Sequence, residues 1–221
     1  MKYARLVPVL LFSLAACGDD DGGGRPIIVD GGNTTADAAP ATCLLPASLG
    51  AVTPSQQEGH SAMGKMSTTV DNYYLYADLN TDAQPDVLLL DLYDGYGAFA
   101  GGFPTTATTV LLTGDETSYD SCGACVMALT DYTMSGPTGD PYFAQGGMLN
   151  LTSVSATSIA GTLNNVSFTH VTIDDQNVTT PKGDGCDSTL TSLSFSAVPE
   201  PDALVGGGTR WRLKLGKPGS R

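Results

Sequence analysis

Positive charge is the scarcest ingredient of this sequence. Between Cys17 and Asp202 only Arg25, Lys65 and Lys182 stand against all 23 acidic residues. Such a surface repels phosphate backbones, which excludes nucleic acid as a partner. Long apolar runs are also missing: none reaches the roughly 18 residues that a membrane-spanning helix needs. Sustained i, i+3, i+4, i+7 apolar spacing is absent, which argues against long amphipathic helices. Glutamate is limited to Glu58, Glu116 and Glu200, and Trp211 is the single tryptophan. Asp91 interrupts an apolar run, but no second carboxylate has similar flanks, so the paired acids of a glycosidase are lacking.

What is present begins with MKYARLVPVLLFSLAAC. Lys2 and Arg5 precede the apolar run Leu6 to Leu14, and Leu14-Ala15-Ala16-Cys17 closes it. The stretch is too short to span a bilayer and reads as a signal segment over 1–16. It resembles the bacterial lipobox, which implies acylation of Cys17 and a membrane anchor made of lipid. Stable attachment takes more than one acyl chain, and the resemblance implies three. Loss of Lys2 and Arg5 with the leader takes the formal charge from −13 to −15. Residues 17–42 are rich in Gly, Asp, Ala and Thr without periodicity. They read as a disordered tether with a reach of about 25–30 Å.

Residues 43–198 are enough for one domain with a substantial core. Short strand-like runs recur there between Gly, Pro, Asp and Asn: 72–79, 86–93, 106–113, 125–134, 147–154, 157–173 and 188–198. DVLLLDLY over 86–93 is nearly continuous, the pattern of a strand buried on both faces. In the last run Leu193, Phe195 and Ala197 share a face. The expected fold is all-β, a single β-sandwich of immunoglobulin-like or jelly-roll-like kind. The tail 199–221 is basic and expected to be disordered, although RWRLKL at 210–215 alternates in the manner of a strand.

With Cys17 assigned to lipid, Cys43, Cys122, Cys125 and Cys186 remain, an even number in an exported chain. Two disulfides are expected, Cys122–Cys125 as a local staple and Cys43–Cys186 as a clasp, with crossed pairings still open. A redox Cys-x-x-Cys needs a helix N-terminus after it, whereas Val126 to Leu129 read as strand. A zinc site needs a second closely spaced ligand pair, and the other cysteines stand alone.

DLNTDAQPDVLLL at 78–90 carries oxygen ligands at alternate positions: Asp78, Asn80, Asp82, the Gln84 carbonyl and Asp86. That spacing suits Ca²⁺, and the stretch resembles the calcium loops of dockerins. It departs from them at Ala83, which stands where a Gly makes the sharp turn, and at Leu89, which stands in place of Glu. Without calcium the same residues make an Asp/Asn-rich hairpin turn. GHSAMGKM at 59–66 imitates both a phosphate loop and a nucleophile elbow and completes neither, which leaves His60 and Ser61 as turn residues. His170 reads as a hydrogen-bonded strand histidine on the face of Val166 and Phe168.

A second resemblance covers most of 43–198. It is carried by Gly114 to Tyr119 followed by Cys122-x-x-Cys125-Val126, then YFAQGG-x-L-x-L from Tyr142. The stretch Ile159 to Asp174 and the pair Gly185-Cys186 complete it. This order is similar to that of a group of uncharacterised secreted bacterial lipoproteins. The resemblance implies an exported all-β domain and no particular chemistry.

The expected protein is lipid-anchored in the bacterial cell envelope, at the outer membrane ahead of the inner, with a structural or binding role. Its partners would be the membrane, through the anchor, and an envelope glycan or protein. The alternative is a secreted hydrolase acting on glycan or peptide.

Overall fold

A computed structural model describes residues 42–63, 70–133 and 136–201. The expected leader, Cys17, nearly all of the tether and the 210–215 segment lie outside the described residues. No helix among the described residues is long and apolar enough to cross a membrane.

The described chain is mostly strand, with two short 3-10 turns as its only helical pieces. In order it forms β1 (Ser48–Val52), β2 (Gln57–Met63), β3 (Val70–Asp78), β4 (Val87–Tyr93), β5 (Thr108–Leu111) and β6 (Ala124–Leu129). Then follow β7 (Tyr142–Ser155), β8 (Ser158–Ile173), β9 (Thr179–Pro181), β10 (Asp187–Ala197) and β11 (Pro199–Pro201). They join one sheet in the order β1-β10-β8-β7-β6-β4-β3-β2-β11, with β5 added to β7 and β9 to β8. The sheet is mixed: β1 runs parallel to β10 and β11 parallel to β2, while the other pairs are antiparallel. Strand pairing continues to Pro201, beyond the domain end expected at 198.

β4 is buried on both faces, as its composition implies. Leu88, Leu90 and Leu92 enter one core with Leu75, Val126, Leu149, Leu163, Leu193 and Phe195. Leu89 enters a second core with Tyr74, Met127, Phe143 and Val171. Each fully buried leucine contributes about 1.5–3 kcal/mol.

The sheet curls until β2 meets the far strands. A Cβ at Gly59 would lie 2.9 Å from Cβ of Ala197, so only glycine lets β2 pack this closely. Cys43 and Cys186 are paired with Cα atoms 5.3 Å apart, which ties the start of the described chain to the start of β10. Cys122 and Cys125 are also paired, at the same Cα separation, on the entry to β6.

Candidate functional site

On the face that holds the second core, side chains from β2, β3 and β4 line up in rows. His60 lies across from Tyr74, Tyr74 across from Asp91, and Asp91 across from Cys125. The next row runs Glu58, Tyr76, Leu89, Met127 and Phe143. Alternation along each strand puts Glu58 and His60, then Tyr74, Tyr76 and Asp78, on one side.

These residues border a cleft of about 470 Å³, closed on the far side by Tyr132. Its rings pack as a corner. His60 stacks on Tyr74 with centroids 4.8 Å apart, and Tyr76 stands edge-on to Tyr74 at 5.8 Å. Tyr132 comes within 5.7 Å of Tyr76. The loop carrying it is held by the Tyr132 N–H, which donates to the Pro85 carbonyl at 2.9 Å.

Burial pushes the Tyr76 hydroxyl far up, with neighbouring Tyr132 and Asp91 adding to it. Burial likewise raises Tyr132. Both phenols therefore stay protonated at neutral pH and able to donate. Glu58 and Asp78 supply carboxylates, Glu58 lying 3.8 Å from His60 Nε2, and neither lysine nor arginine lines the cleft among the described residues.

Behind the cleft, buried Asp91 accepts a long hydrogen bond of 3.4 Å from the Tyr93 hydroxyl. The Tyr93 and Tyr119 hydroxyls share a 2.7 Å bond. Burial and the Asp91 charge push both phenols up. This cluster is sealed among packed rings and serves as the polar centre of the second core.

The predicted calcium loop forms the cleft's outer lip. Asp78 accepts from the Ser55 hydroxyl at 2.7 Å. Asn80 Oδ1 accepts from the Asp86 N–H at 3.1 Å, and Asn80 Nδ2 donates to Asp86 Oδ2 at 3.0 Å. Asp86 also accepts from the Asp131 N–H at 3.0 Å, and burial raises its pKa. Asp82 and Gln84 are exposed. Asn80 and Asp86 thus satisfy one another, and a cation here would require the Asn80 carboxamide to turn its oxygen toward Asp86. We expect millimolar Ca²⁺ to raise the melting temperature by no more than about 1 °C, the effect of about 0.4 kcal/mol at one Kd. A larger rise that disappears in Asp82→Ala would assign the loop to the ion.

The remaining candidates lie elsewhere. His60 and Ser61 are strand residues of β2 rather than turn residues. The motif that joined them to Lys65 and Met66 extends outside the described residues. Cys122 and Cys125 are fully buried and enter a strand, an arrangement closed to a substrate thiol. His170 stacks on Tyr142 and bonds Asp184 at 2.7 Å through Nδ1. It also neighbours Cys186, but that sulfur is paired with Cys43 and offers no thiolate to a metal.

Sequence reasoning did not single out Glu58, Tyr74, Tyr76 or Tyr132. The alternation in NYYLYADL was the available signal, since it sets Tyr74 and Tyr76 on one face. Comparison with protein-family models, curated proteins and solved structures finds no match to this chain.

Proposed function

We propose that this protein is a lipid-anchored bacterial envelope protein with a binding role, acylated at Cys17, and that the tyrosine-lined cleft holds its ligand. The observation that carries this reading is the cleft itself, where ring faces, protonated phenols and two carboxylates converge on one side of the sheet. Rings offer stacking surface to a sugar or an apolar side chain, and the polar groups fix its orientation. An envelope glycan or protein segment has both features. The lipobox resemblance supplies the anchor, the 17–42 tether the clearance from lipid, and the outer membrane is the favoured location. We also take the curled sheet to be a single sandwich, with the first core between its two layers.

The test is co-sedimentation of the Cys17→Ser chain with isolated peptidoglycan sacculi. Tyr76→Ala and Tyr132→Ala should each weaken binding about tenfold, the equivalent of 1.4 kcal/mol for a lost stacking ring. Cys17→Ser should also move the protein from the membrane to the soluble fraction. Sacculus binding indifferent to both tyrosines would remove the cleft as the site. The second reading, a hydrolase, draws on the Glu58–His60 pair as an acid and base. It requires release of soluble fragments from sacculi, lost in Glu58→Gln.

A further inference from the structure

The cleft has a chemical bias of its own. Among the described residues its lining contains Glu58 and Asp78, four rings and neither lysine nor arginine. Aromatic faces together with carboxylates attract cations, above all guanidinium groups, which stack on rings and pair with carboxylates. A purely neutral ligand would make no use of the charge.

β11 lies next to β2, one wall of this cleft. It pairs with β2 so that Glu200 lies beside His60, and Pro201 beside Ser61. A second depression, lined by Glu58, His60 and Glu200 together with Ala197 and Val198, carries the acidic surface to the edge of the sheet. The described chain therefore stops one strand away from the ring cluster.

Eight residues separate Pro201 from RWRLKL, Arg210 to Leu215. Half of the chain's ten basic residues, and its one tryptophan, fall at or after Arg210. Residues 202–209 include Gly206, Gly207 and Gly208. For eight residues of glycine-rich sequence a random-coil root-mean-square reach is about 16 Å. The Tyr74–Tyr76 strand is two strand spacings, about 10 Å, from β11. A link whose reach matches the span presents its ligand at millimolar effective concentration, so even weak pairing occupies the site.

We propose that residues 210–215 are an intrachain ligand of the cleft, seating Trp211 and the guanidinium groups of Arg210 and Arg212 against Tyr76, Tyr132, Glu58 and Asp78. The segment regulates the site by competing with the envelope ligand. This rests on the cleft being a binding site, whatever the envelope ligand is.

Trp211 reports directly, because it is the only tryptophan. In the Cys17→Ser chain its emission should be blue-shifted and shielded from acrylamide relative to a free peptide of residues 208–217. Tyr76→Ala with Tyr132→Ala should return it to peptide-like quenching, with circular dichroism confirming the fold. Glu58→Gln with Asp78→Asn, a milder change, should do so at lower salt than the parent needs. Arg210→Ser with Arg212→Ser should release Trp211 and strengthen sacculus binding. Peptide-like quenching in the parent chain overturns the proposal, as does shielding that ignores all groove substitutions. Shielding that grows with protein concentration also overturns it, by placing the segment on a second copy. Shielded Trp211 with no sacculus binding even in Arg210→Ser with Arg212→Ser defeats the glycan reading alone, whereas sacculus binding with an exposed Trp211 in the parent chain defeats this one alone.

Discussion

Removing the Cys43–Cys186 clasp should cost this protein about 4–5 kcal/mol, a large share of the 5–15 kcal/mol that holds a typical domain folded. The two residues are 143 apart, so the crosslink denies the unfolded chain an exceptionally wide loop. Chain-entropy arithmetic puts that near 5 kcal/mol, against about 2 kcal/mol for the four-residue ring of Cys122 and Cys125. The clasp also carries native contacts. Two residues on, Leu45 is fully buried in the first core, and its N–H donates to the Tyr142 hydroxyl at 3.4 Å. The Ser188 hydroxyl donates to the Pro46 carbonyl at 2.6 Å, and β1 then pairs with β10. Urea unfolding of Cys43→Ala/Cys186→Ala against Cys122→Ala/Cys125→Ala, both unreduced, measures the difference. Equal losses in the two variants would show that loop length is not what the clasp contributes.

Glu116→Ala should destabilise the fold by about 2–4 kcal/mol, because it strands the buried Ala124 N–H, at about 1–3 kcal/mol, and takes a partner worth about 1 kcal/mol from the part-buried Ala98 N–H. Glu116 is 4% exposed. One carboxylate oxygen accepts from the Ala98 N–H at 2.6 Å and the other from the Ala124 N–H at 2.5 Å. The side chain thereby bolts two short 3-10 turns, Gly97–Phe99 and Gly114–Thr117, to the head of β6. Gly97, at a φ of +40°, and Gly123 admit this approach, since a Cβ on the first would collide with the carboxylate and on the second with the Tyr96 carbonyl. Glu116→Gln is the sharper probe. It retains the volume but sets an amide N–H₂ against one backbone N–H, and a loss above about 1.5 kcal/mol is expected. Hydrogen exchange should quicken at 97–99 and at Ala124. A glutamine variant as stable as its parent would reduce Glu116 to a space-filler.

Glu116 also marks where reading the sequence stops. Nothing in GDETSY separates a buried, doubly bonded carboxylate from a solvated one, because its donors lie 18 residues upstream and 8 downstream. The same holds for Asp86, whose neighbours suggest a cation ligand while its partners are Asn80 and the Asp131 backbone. Oxygen spacing records which ligands are available, and only the turn decides which way they point.

Strand character was legible wherever it rested on local burial. VLLLDLY is apolar at nearly every position because both of its faces meet a core, and the alternation of Leu193, Phe195 and Ala197 follows from one buried face. The even count of cysteines beyond Cys17 pointed to pairing, and the sulfurs lie together as Cys43 with Cys186 and Cys122 with Cys125. β2 was illegible: QEGHSAM has no apolar alternation, because one of its faces borders the cleft and the other is kept small to meet Ala197. β1 and β11 are strands only by parallel pairing with segments more than a hundred residues away, and no local pattern encodes a partner at that distance. The cleft is the product of those same pairings. Tyr74 and Tyr76 were visible as neighbours on one strand face, but the register of β2 against β3 set His60 and Glu58 beside them, and the Pro85 contact brought in Tyr132.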